Sequence, residues 1–490
     1  MADAVRAFRR AIAISPDLAE AHYRLGNALW NQGRITATLA SYRRAIALEP
    51  NHAAARSNLA FTLNYHTEAS HAELFAAHRA CAALFRRPDA MQQNYPNSRE
   101  TGRRLRIGYV SGDLRHHAVT SFFEPLFAAH DRGAFEVFCY SSLEAAHEDD
   151  TSTRLKAHAD HWVRIFRLSD ESVAARVKRD RIDLLVDLGG YTSRSRLKIF
   201  ALKPAPVQVT WLGYLNTTGL DAIDYRVTDR IVDPAGEADN FNSERLIRLE
   251  TVLLCYRPYG LAPPVAVPPV LDAGYVTFGS FNDLPKLTPG VIRMWARVLH
   301  AVEGSRLVIK TEQMRDARTA DELRRRFAAE GIAPERLDLL AWRVHTQHHL
   351  ARYSLVDVAL DTFPFNGVTT TCEALWMGVP VVTVRGDRPY GRVGASLLTA
   401  GGLAQFIAED ANGFQRISVD LAHDLDRLKM LRTKLRDQMR TSPLCDGKAF
   451  AVAMERAYRR MWQEWCAGGR ETHRQAKRTL KTRKNYLRVK

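Results

Sequence analysis

A nine-residue pattern returns after 34 positions near the start of this chain, and it narrows the fold more than any other feature. Phe8-Arg-Arg-Ala-Ile-Ala-Ile-Ser-Pro16 recurs as Tyr42-Arg-Arg-Ala-Ile-Ala-Leu-Glu-Pro50, and Ala21 and Leu25 recur as Ala55 and Leu59. Large and small apolar residues repeat at helical spacing, and a proline closes each unit. That pattern specifies stacked helix pairs that cross closely where the small residues fall. Each unit buries its apolar face only against a neighbour, so so short a stack needs further chain to close it. Residues 66–95 and the domain that follows are expected to supply that surface.

The period and its small residues are the tetratricopeptide signature. Around Tyr95 the pattern changes. From Leu105 onward, short β-branched or aromatic runs alternate with amphipathic helices: Leu105–Ser111, Phe135–Ser141, Ile182–Leu188, Val207–Trp211, Tyr225–Thr228, Tyr275–Phe281, Arg306–Lys310, Val356–Asp361 and Val379–Val384. Runs as continuously apolar as Ile182-Asp-Leu-Leu-Val-Asp-Leu188 suit parallel strands covered on both faces. Strand–helix alternation of this length predicts an α/β chain of doubly wound sheets, too many strands for one. Five prolines in 257–272 mark a linker between two Rossmann-like lobes. The expected division is repeats at 1–66, a helical linker at 67–100, one lobe at 101–262, a second at 263–468, and a disordered basic tail at 469–490. Ligands of open α/β sheets lie outside the carboxyl ends of the strands, which places the site in the cleft between the lobes.

Charge and cysteines exclude several classes. Lysine and arginine number 70 against 54 acids, a net +16. Half of that excess lies in 470–490, where nine basic residues face Glu471 alone. The body is only mildly basic, which argues against nucleic acid as a partner. No apolar run reaches the ~18 residues of a membrane span, and residues 1–15 contain no signal-peptide core. Six scattered cysteines with no CxxC suit a reduced, cytoplasmic setting without a disulfide framework or zinc knuckle.

The chemistry concentrates in Asp361-Thr-Phe-Pro-Phe-Asn-Gly-Val-Thr-Thr-Thr-Cys-Glu-Ala-Leu-Trp-Met-Gly-Val-Pro380. A buried strand ends at Asp361, a loop with Pro364 and Gly367 follows, and a helix opens at the threonines and stops at Gly378 and Pro380. Thr370 and Glu373 have capping-box spacing. A strand, a glycine loop and a helix N-terminus suit a pyrophosphate; the same pattern also fits an ordinary capped helix. GxGxxG and GxxxxGK[ST] are missing, so hydride-transfer and P-loop readings lose support. No residues have metal-ligand spacing, and a phosphate site must then draw its positive charge from the protein. Lys286 follows the strand Tyr275–Phe281, where a phosphate-neutralising lysine belongs; a solvated loop lysine fits the same spacing.

Several stretches resemble the catalytic region of the protein O-GlcNAc transferase and Spindly family, a tetratricopeptide-linked branch of the GT-B glycosyltransferases (family 41). They are Leu105-Arg-Ile-Gly-Tyr-Val-Ser-Gly-Asp113; Ala205-Pro-Val-Gln-Val-Thr-Trp-Leu-Gly-Tyr214 with Thr217-Thr-Gly and Asp224-Tyr; Phe278-Gly-Ser-Phe-Asn282 with Lys286; Asp361–Pro380; and Ser442-Pro-Leu-Cys through Met461-Trp. With the repeats, the likeness runs from residue 1 to about 468. It implies tetratricopeptide repeats followed by a GT-B pair of lobes, and an inverting transfer of sugar from a nucleotide-sugar donor to Ser or Thr of protein acceptors held by the repeats. UDP-GlcNAc is the family default. No metal, cofactor or membrane is implied.

The resemblance also assigns residues. Lys286 matches the lysine that binds the donor diphosphate, and Gly367, Thr369 and Thr370 match the loop and helix start that hold the phosphates. His349 and Arg352 match nucleotide-base contacts. His117 matches an active-site histidine considered as a base, and Tyr191 and Thr192 match a loop on the acceptor side. Two positions depart from the O-GlcNAc transferases. Val368 stands where they have histidine after Asn-Gly, and Glu373 where they have a ribose-binding aspartate. Both resemble the Spindly branch, whose plant members use GDP-fucose, whereas Tyr191 resembles the O-GlcNAc transferases. Three alternatives follow: GDP-fucose-dependent O-fucosylation, transfer to Asn, and an inactive tetratricopeptide adaptor. Retention of Lys286, His117, His349 and the threonines argues against the last. The donor cleft and the repeats at 1–65 are expected to be separable.

Overall fold

The computed structural model describes residues 2–87, 90, 93–341 and 346–468; the basic tail expected at 469–490 lies outside them. Five helices open the chain: α1 (Ala2–Ile14), α2 (Ala19–Trp30), α3 (Ile35–Leu48), α4 (Ala53–Leu63) and α5 (His71–Ala82). Gly26 shows why the repeat carries small residues, since a β-carbon there would stand 2.4 Å from the Tyr42 ring. Val5, Leu25, Ala28 and Leu29 form a small core of their own. From Ile35 and Leu39 the buried side chains run without a break through Leu63 and Tyr65 into the catalytic lobes.

The repeats thus close on the domains that follow, as so short a stack requires. Asn64 Nδ2 donates to the Tyr214 hydroxyl at 2.8 Å, and that hydroxyl lies 2.5 Å from Nε2 of buried His78. Arg388 of the second lobe donates to the carbonyls of His66 at 3.0 Å and Ala69 at 2.9 Å. Two open units could not bury their last face alone, and both lobes cover it.

The first sheet takes β1 (Leu105–Ser111), β2 (Phe135–Ser141), β3 (His161–Arg164), β4 (Leu184–Asp187), β5 (Val207–Thr210), β6 (Tyr225–Asp229) and β7 (Arg245–Leu249) in the order β3-β2-β1-β4-β5-β6-β7. The second takes β8 (Thr277–Ser280), β9 (Arg306–Lys310), β10 (Leu337–Leu340), β11 (Val358–Leu360), β12 (Val381–Val384) and β13 (Ile407–Ala408) in the order β10-β9-β8-β11-β12-β13. Every pairing is parallel. Each lobe is thus Rossmann-like, and the pair has the GT-B architecture behind an all-α tetratricopeptide front.

The two sheets repeat one another in detail. Asp183-Leu-Leu-Val-Asp187 spans β4, and Asp357-Val-Ala-Leu-Asp361 spans its counterpart β11. The first aspartate of each accepts the amide of a neighbouring strand, Arg106 at 2.8 Å in one lobe and Thr277 at 2.9 Å in the other. The second accepts a threonine hydroxyl from the next strand, Thr210 at 2.9 Å and Thr383 at 2.7 Å. It also accepts glycine amides from the loop that follows, Gly190 at 2.9 Å and Gly367 at 2.6 Å. A carboxylate thus ties down the loop at each lobe's central strand end.

Sequence order assigns 447–466 to the second lobe, but the helix Gly447–Cys466 packs on the first. Its Tyr458 hydroxyl meets that of Tyr109 on β1 at 3.3 Å, and Glu455 accepts from His130 Nδ1 at 2.8 Å. Glu464 pairs with Arg245 on β7 at 2.7 Å. The helix buries Phe450, Met454, Tyr458, Met461 and Trp462, an apolar face that needs a sheet's flank, and the first lobe offers one.

Candidate active site

In the second lobe, Asp361 shapes the glycine loop. Its carboxylate accepts the amides of Thr362 at 2.8 Å and Gly367 at 2.6 Å, which draws the loop into a tight return before the helix Thr369–Trp376. A β-carbon on Gly367 would lie 2.6 Å from Thr370 Oγ1 and 2.8 Å from Thr371 Oγ1, so glycine is required by space. The capping box expected from Thr370 and Glu373 does not form. The residue before the helix is Val368, no side chain caps the N-terminus, and Thr370 falls two places too deep to act as cap. The first-turn amides keep their capacity for an anion, with the positive end of the helix dipole behind them.

Lys286 stands at this helix start. Its Nζ donates to Asn282 Oδ1 at 3.0 Å and to the Asn366 carbonyl at 2.9 Å, and lies 4.7 Å from the Phe365 ring centroid. Thr370 Oγ1 donates to the same Asn282 oxygen at 3.2 Å. Lysine and threonine therefore converge on one point at the carboxyl ends of β8 and β11. Burial pushes the Lys286 ammonium down to about 8, against the pull of Asp361 and Asp283. It stays mostly charged at neutral pH while keeping little hydration to shed on meeting a phosphate.

Behind this point lies a second polar chain. His349 is buried, and its Nε2 meets Glu373 Oε2 at 2.9 Å while Nδ1 meets Lys310 Nζ. Its ring packs edge-on to Tyr353, with centroids 5.9 Å apart. Burial holds the Lys310 ammonium down to about 8, raised by Glu373 and lowered further by Arg352, which is partly exposed on the adjoining turn. The structure thus joins His349 and Glu373 directly, and brings Arg352 beside them.

Across the cleft, His117 caps the helix Ala118–Ala129, its Nδ1 accepting the Val119 amide at 3.3 Å. Burial pushes its pKa down, Asp113 at 3.9 Å opposes, and Arg115, His116 and Arg194 add to the lowering. A neutral imidazole whose Nδ1 accepts a backbone N–H carries its proton on Nε2. In this tautomer His117 is a hydrogen-bond donor through Nε2. Its neighbour His116 bridges the lobes, with Nε2 2.8 Å from Thr346 Oγ1.

Tyr191 is buried in the first lobe. It is 5% exposed and donates its hydroxyl to the Thr218 carbonyl at 2.7 Å, at the junction with the repeats. Gly190, at φ +55°, turns the chain inward there; a β-carbon on it would lie 2.2 Å from Tyr214. Thr192 remains at the loop, its hydroxyl tied to the Gly189 carbonyl at 2.7 Å. Sequence reasoning missed Asn282, Asn366 and Lys310. A lysine that ends the apolar strand Arg306–Lys310 was the one legible signal among them.

Two parallel-sheet lobes, and a lysine set against an uncapped helix N-terminus at the strand ends of one, define a GT-B glycosyltransferase. The comparisons agree. The sequence matches Glycosyl transferase family 41 over residues 49–255 and 270–454, and tetratricopeptide repeats over 2–33 and 19–52. It is 41% identical over 420 residues to the probable UDP-N-acetylglucosamine–peptide N-acetylglucosaminyltransferase SPINDLY of Arabidopsis thaliana, covering 84% of this chain and 45% of that protein. It is 33% identical over 418 residues to the SEC protein of the same plant, which bears the same activity in its name, covering 81% and 42%. A mutant of the Thermobaculum terrenum O-GlcNAc transferase superposes with a TM-score of 0.89 at 38% identity, over 95% of this chain and 88% of that one. The chain belongs to glycosyltransferase family 41. It spans less than half the length of the curated plant relatives it matches.

Proposed function

We propose that this chain carries the catalytic unit of an inverting protein O-glycosyltransferase. The observation that carries the reading is the convergence of Lys286 Nζ and Thr370 Oγ1 on Asn282 beside the uncapped helix start at Thr369. In the reaction, a Ser or Thr oxygen of a protein acceptor bonds to the anomeric carbon of the donor sugar. The bond from that carbon to the diphosphate breaks, and the nucleoside diphosphate leaves with the electron pair. The diphosphate gains charge as the bond breaks. The Lys286 ammonium and the first-turn amides at Thr369 and Thr370 face that charge, so they stabilise the transition state more than the ground state. Gly367 lets the backbone approach the phosphates. His349, Arg352 and Glu373 take the nucleoside end. His117 donates from Nε2 to the donor, and the acceptor hydroxyl proton passes to water or to the departing diphosphate.

UDP-GlcNAc is the donor we place first, because the SPINDLY and SEC relatives both carry it in their names. A GDP-fucose reading stands beside it, since Val368 and Glu373 depart from the O-GlcNAc transferase pattern in the donor helix itself. Protein acceptors are taken to be recognised by the tetratricopeptide repeats, in a reducing cytoplasm where the six free cysteines stay reduced. Hydrolysis of a panel of nucleotide sugars tests the donor, and mass spectrometry of a modified acceptor tests the linkage. Turnover of UDP-GlcNAc with Ser/Thr modification supports the first reading, turnover of GDP-fucose alone supports the second, and modified Asn overturns O-linkage. Failure to bind either UDP or GDP overturns the enzymatic reading.

A further inference from the structure

Three groups among the described residues contact the Lys286 ammonium, and two of them belong to one dipeptide. Asn366 supplies a carbonyl at 2.9 Å and Phe365 a ring whose centroid lies 4.7 Å away. Whatever fixes Phe365–Asn366 therefore helps to fix the lysine. The second lobe braces the dipeptide with Tyr390, whose ring stacks on Phe365 at 3.9 Å and 23° and whose carbonyl accepts the Asn366 amide at 2.9 Å. Tyr390 is itself tied to the first lobe, its hydroxyl accepting the Leu215 amide at 3.1 Å.

The remaining brace comes from the repeats. Tyr65, just past the end of α4, stacks on Phe365 with centroids 4.2 Å apart and planes at 25°. Trp30 at the end of α2 meets the Tyr65 ring edge-on at 4.6 Å. A second repeat contact reaches the turn that carries the lysine, because a β-carbon on Gly33 would stand 3.0 Å from the Leu284 carbonyl. Tyr65 is 7% exposed and Phe365 8%, so this brace is close packing rather than a surface touch. Stacked aromatic pairs hold a defined geometry beyond the area they bury.

We propose that Tyr65, a residue of the repeats, is a positioning residue for the Lys286 ammonium, acting through the Phe365 ring. The repeats then help to set the donor diphosphate site in addition to holding acceptors. The kinetic part of this inference rests on the transferase reading; the part about Lys286 itself does not.

The test compares Tyr65→Ala, Tyr65→Leu and Tyr65→Phe in the full chain. Tyr65→Leu keeps apolar volume without a ring and serves if Tyr65→Ala fails to fold. Acylation of Lys286 by a small amine reagent, followed by mass spectrometry without nucleotide, reads the lysine directly. A several-fold faster rate is expected in Tyr65→Ala and Tyr65→Leu, with the wild-type rate in Tyr65→Phe. UDP and GDP affinity is measured in parallel, with and without Lys286→Ala. A misplacement of ~1 Å can cost about 100-fold in turnover. We therefore expect donor kcat/KM to fall at least about tenfold in the ringless variants, to recover in Tyr65→Phe, and nucleotide affinity to lose its dependence on Tyr65 once Lys286 is gone. Unchanged Lys286 reactivity in a folded ringless variant overturns the proposal, as does an affinity loss that persists in the Lys286→Ala background. Wild-type protein that binds neither nucleotide counts against the transferase reading, and the Lys286 labelling still decides the role of Tyr65.

Discussion

Acidification should loosen the seat of the repeats on the catalytic lobes through a single imidazole. His78 is fully buried between α5 and the first lobe. Its Nδ1 lies 2.6 Å from the Leu74 carbonyl and its Nε2 2.5 Å from the Tyr214 hydroxyl, an arrangement that suits a neutral ring donating from one nitrogen and accepting at the other. Burial pushes its pKa from 6.5 to about 4, with the Leu74 carbonyl opposing. Below 6.5 the unfolded chain binds this proton and the folded chain does not, so stability is present above 6.5 and is lost as pH falls toward 4. Linkage over that interval amounts to about 3 kcal/mol in all, of which roughly 2 kcal/mol is lost between pH 7 and 5. Asp187 acts in the opposite sense, since burial raises its carboxyl to about 6 and its proton favours the fold as pH drops. The His78 share must therefore be read as a difference. Urea unfolding of wild type and His78→Gln at pH 7 and 5 gives it: the variant starts less stable but should lose about 2 kcal/mol less on acidification. Equal losses in the two proteins would refute the reasoning, because the titrating group would then lie elsewhere.

Further outcomes follow from the donor site. Lys286→Ala should stay folded and lose on the order of 100-fold or more in kcat, measured with saturating donor, because one stabiliser of the leaving diphosphate is gone. With the proposed role for the charged form of Lys286, which burial lowers to about 8, kcat/KM for donor should fall as pH rises through 8, dropping roughly tenfold by pH 9; a flat profile to pH 9 would remove this lysine from the rate-controlling charge. Gly367→Ala should cost about tenfold or more in nucleotide affinity, read by calorimetry, because its β-carbon would enter the space of Thr370 and Thr371. Turnover should persist in excess EDTA, since Lys286 and the helix start supply the positive charge; loss of activity restored by manganese or magnesium would contradict that assignment.

The four strands that the sequence pattern did not disclose are β3, β7, β10 and β13, and each is an edge of its sheet. In two of them exposure gives the reason. β3 has no buried residue and β10 only Leu337, whereas β4 and β12 are buried throughout. A continuous apolar run marks a strand covered on both faces, and an edge strand is not covered that way.

Local order was legible wherever a short segment sets its own conformation. The 34-residue period specified paired helices, the apolar runs specified central parallel strands, and Asp361 through Pro380 announced a strand, a glycine return and a helix start. Those features depend on neighbours within a few residues, so spacing alone reports them. What the tertiary structure decided is everything that needs partners distant in the chain. The N-cap position fell to Val368, whose side chain cannot cap, and Glu373 was taken by His349 from another element. Tyr191 turned inward onto Thr218, the last helix crossed back to the first lobe, and His117 gave its Nδ1 to the helix it caps. The lysine of the donor site is fixed by Asn282, Asn366 and a ring stack that begins in the repeats, residues up to about 300 positions apart in sequence that only the closed core brings together.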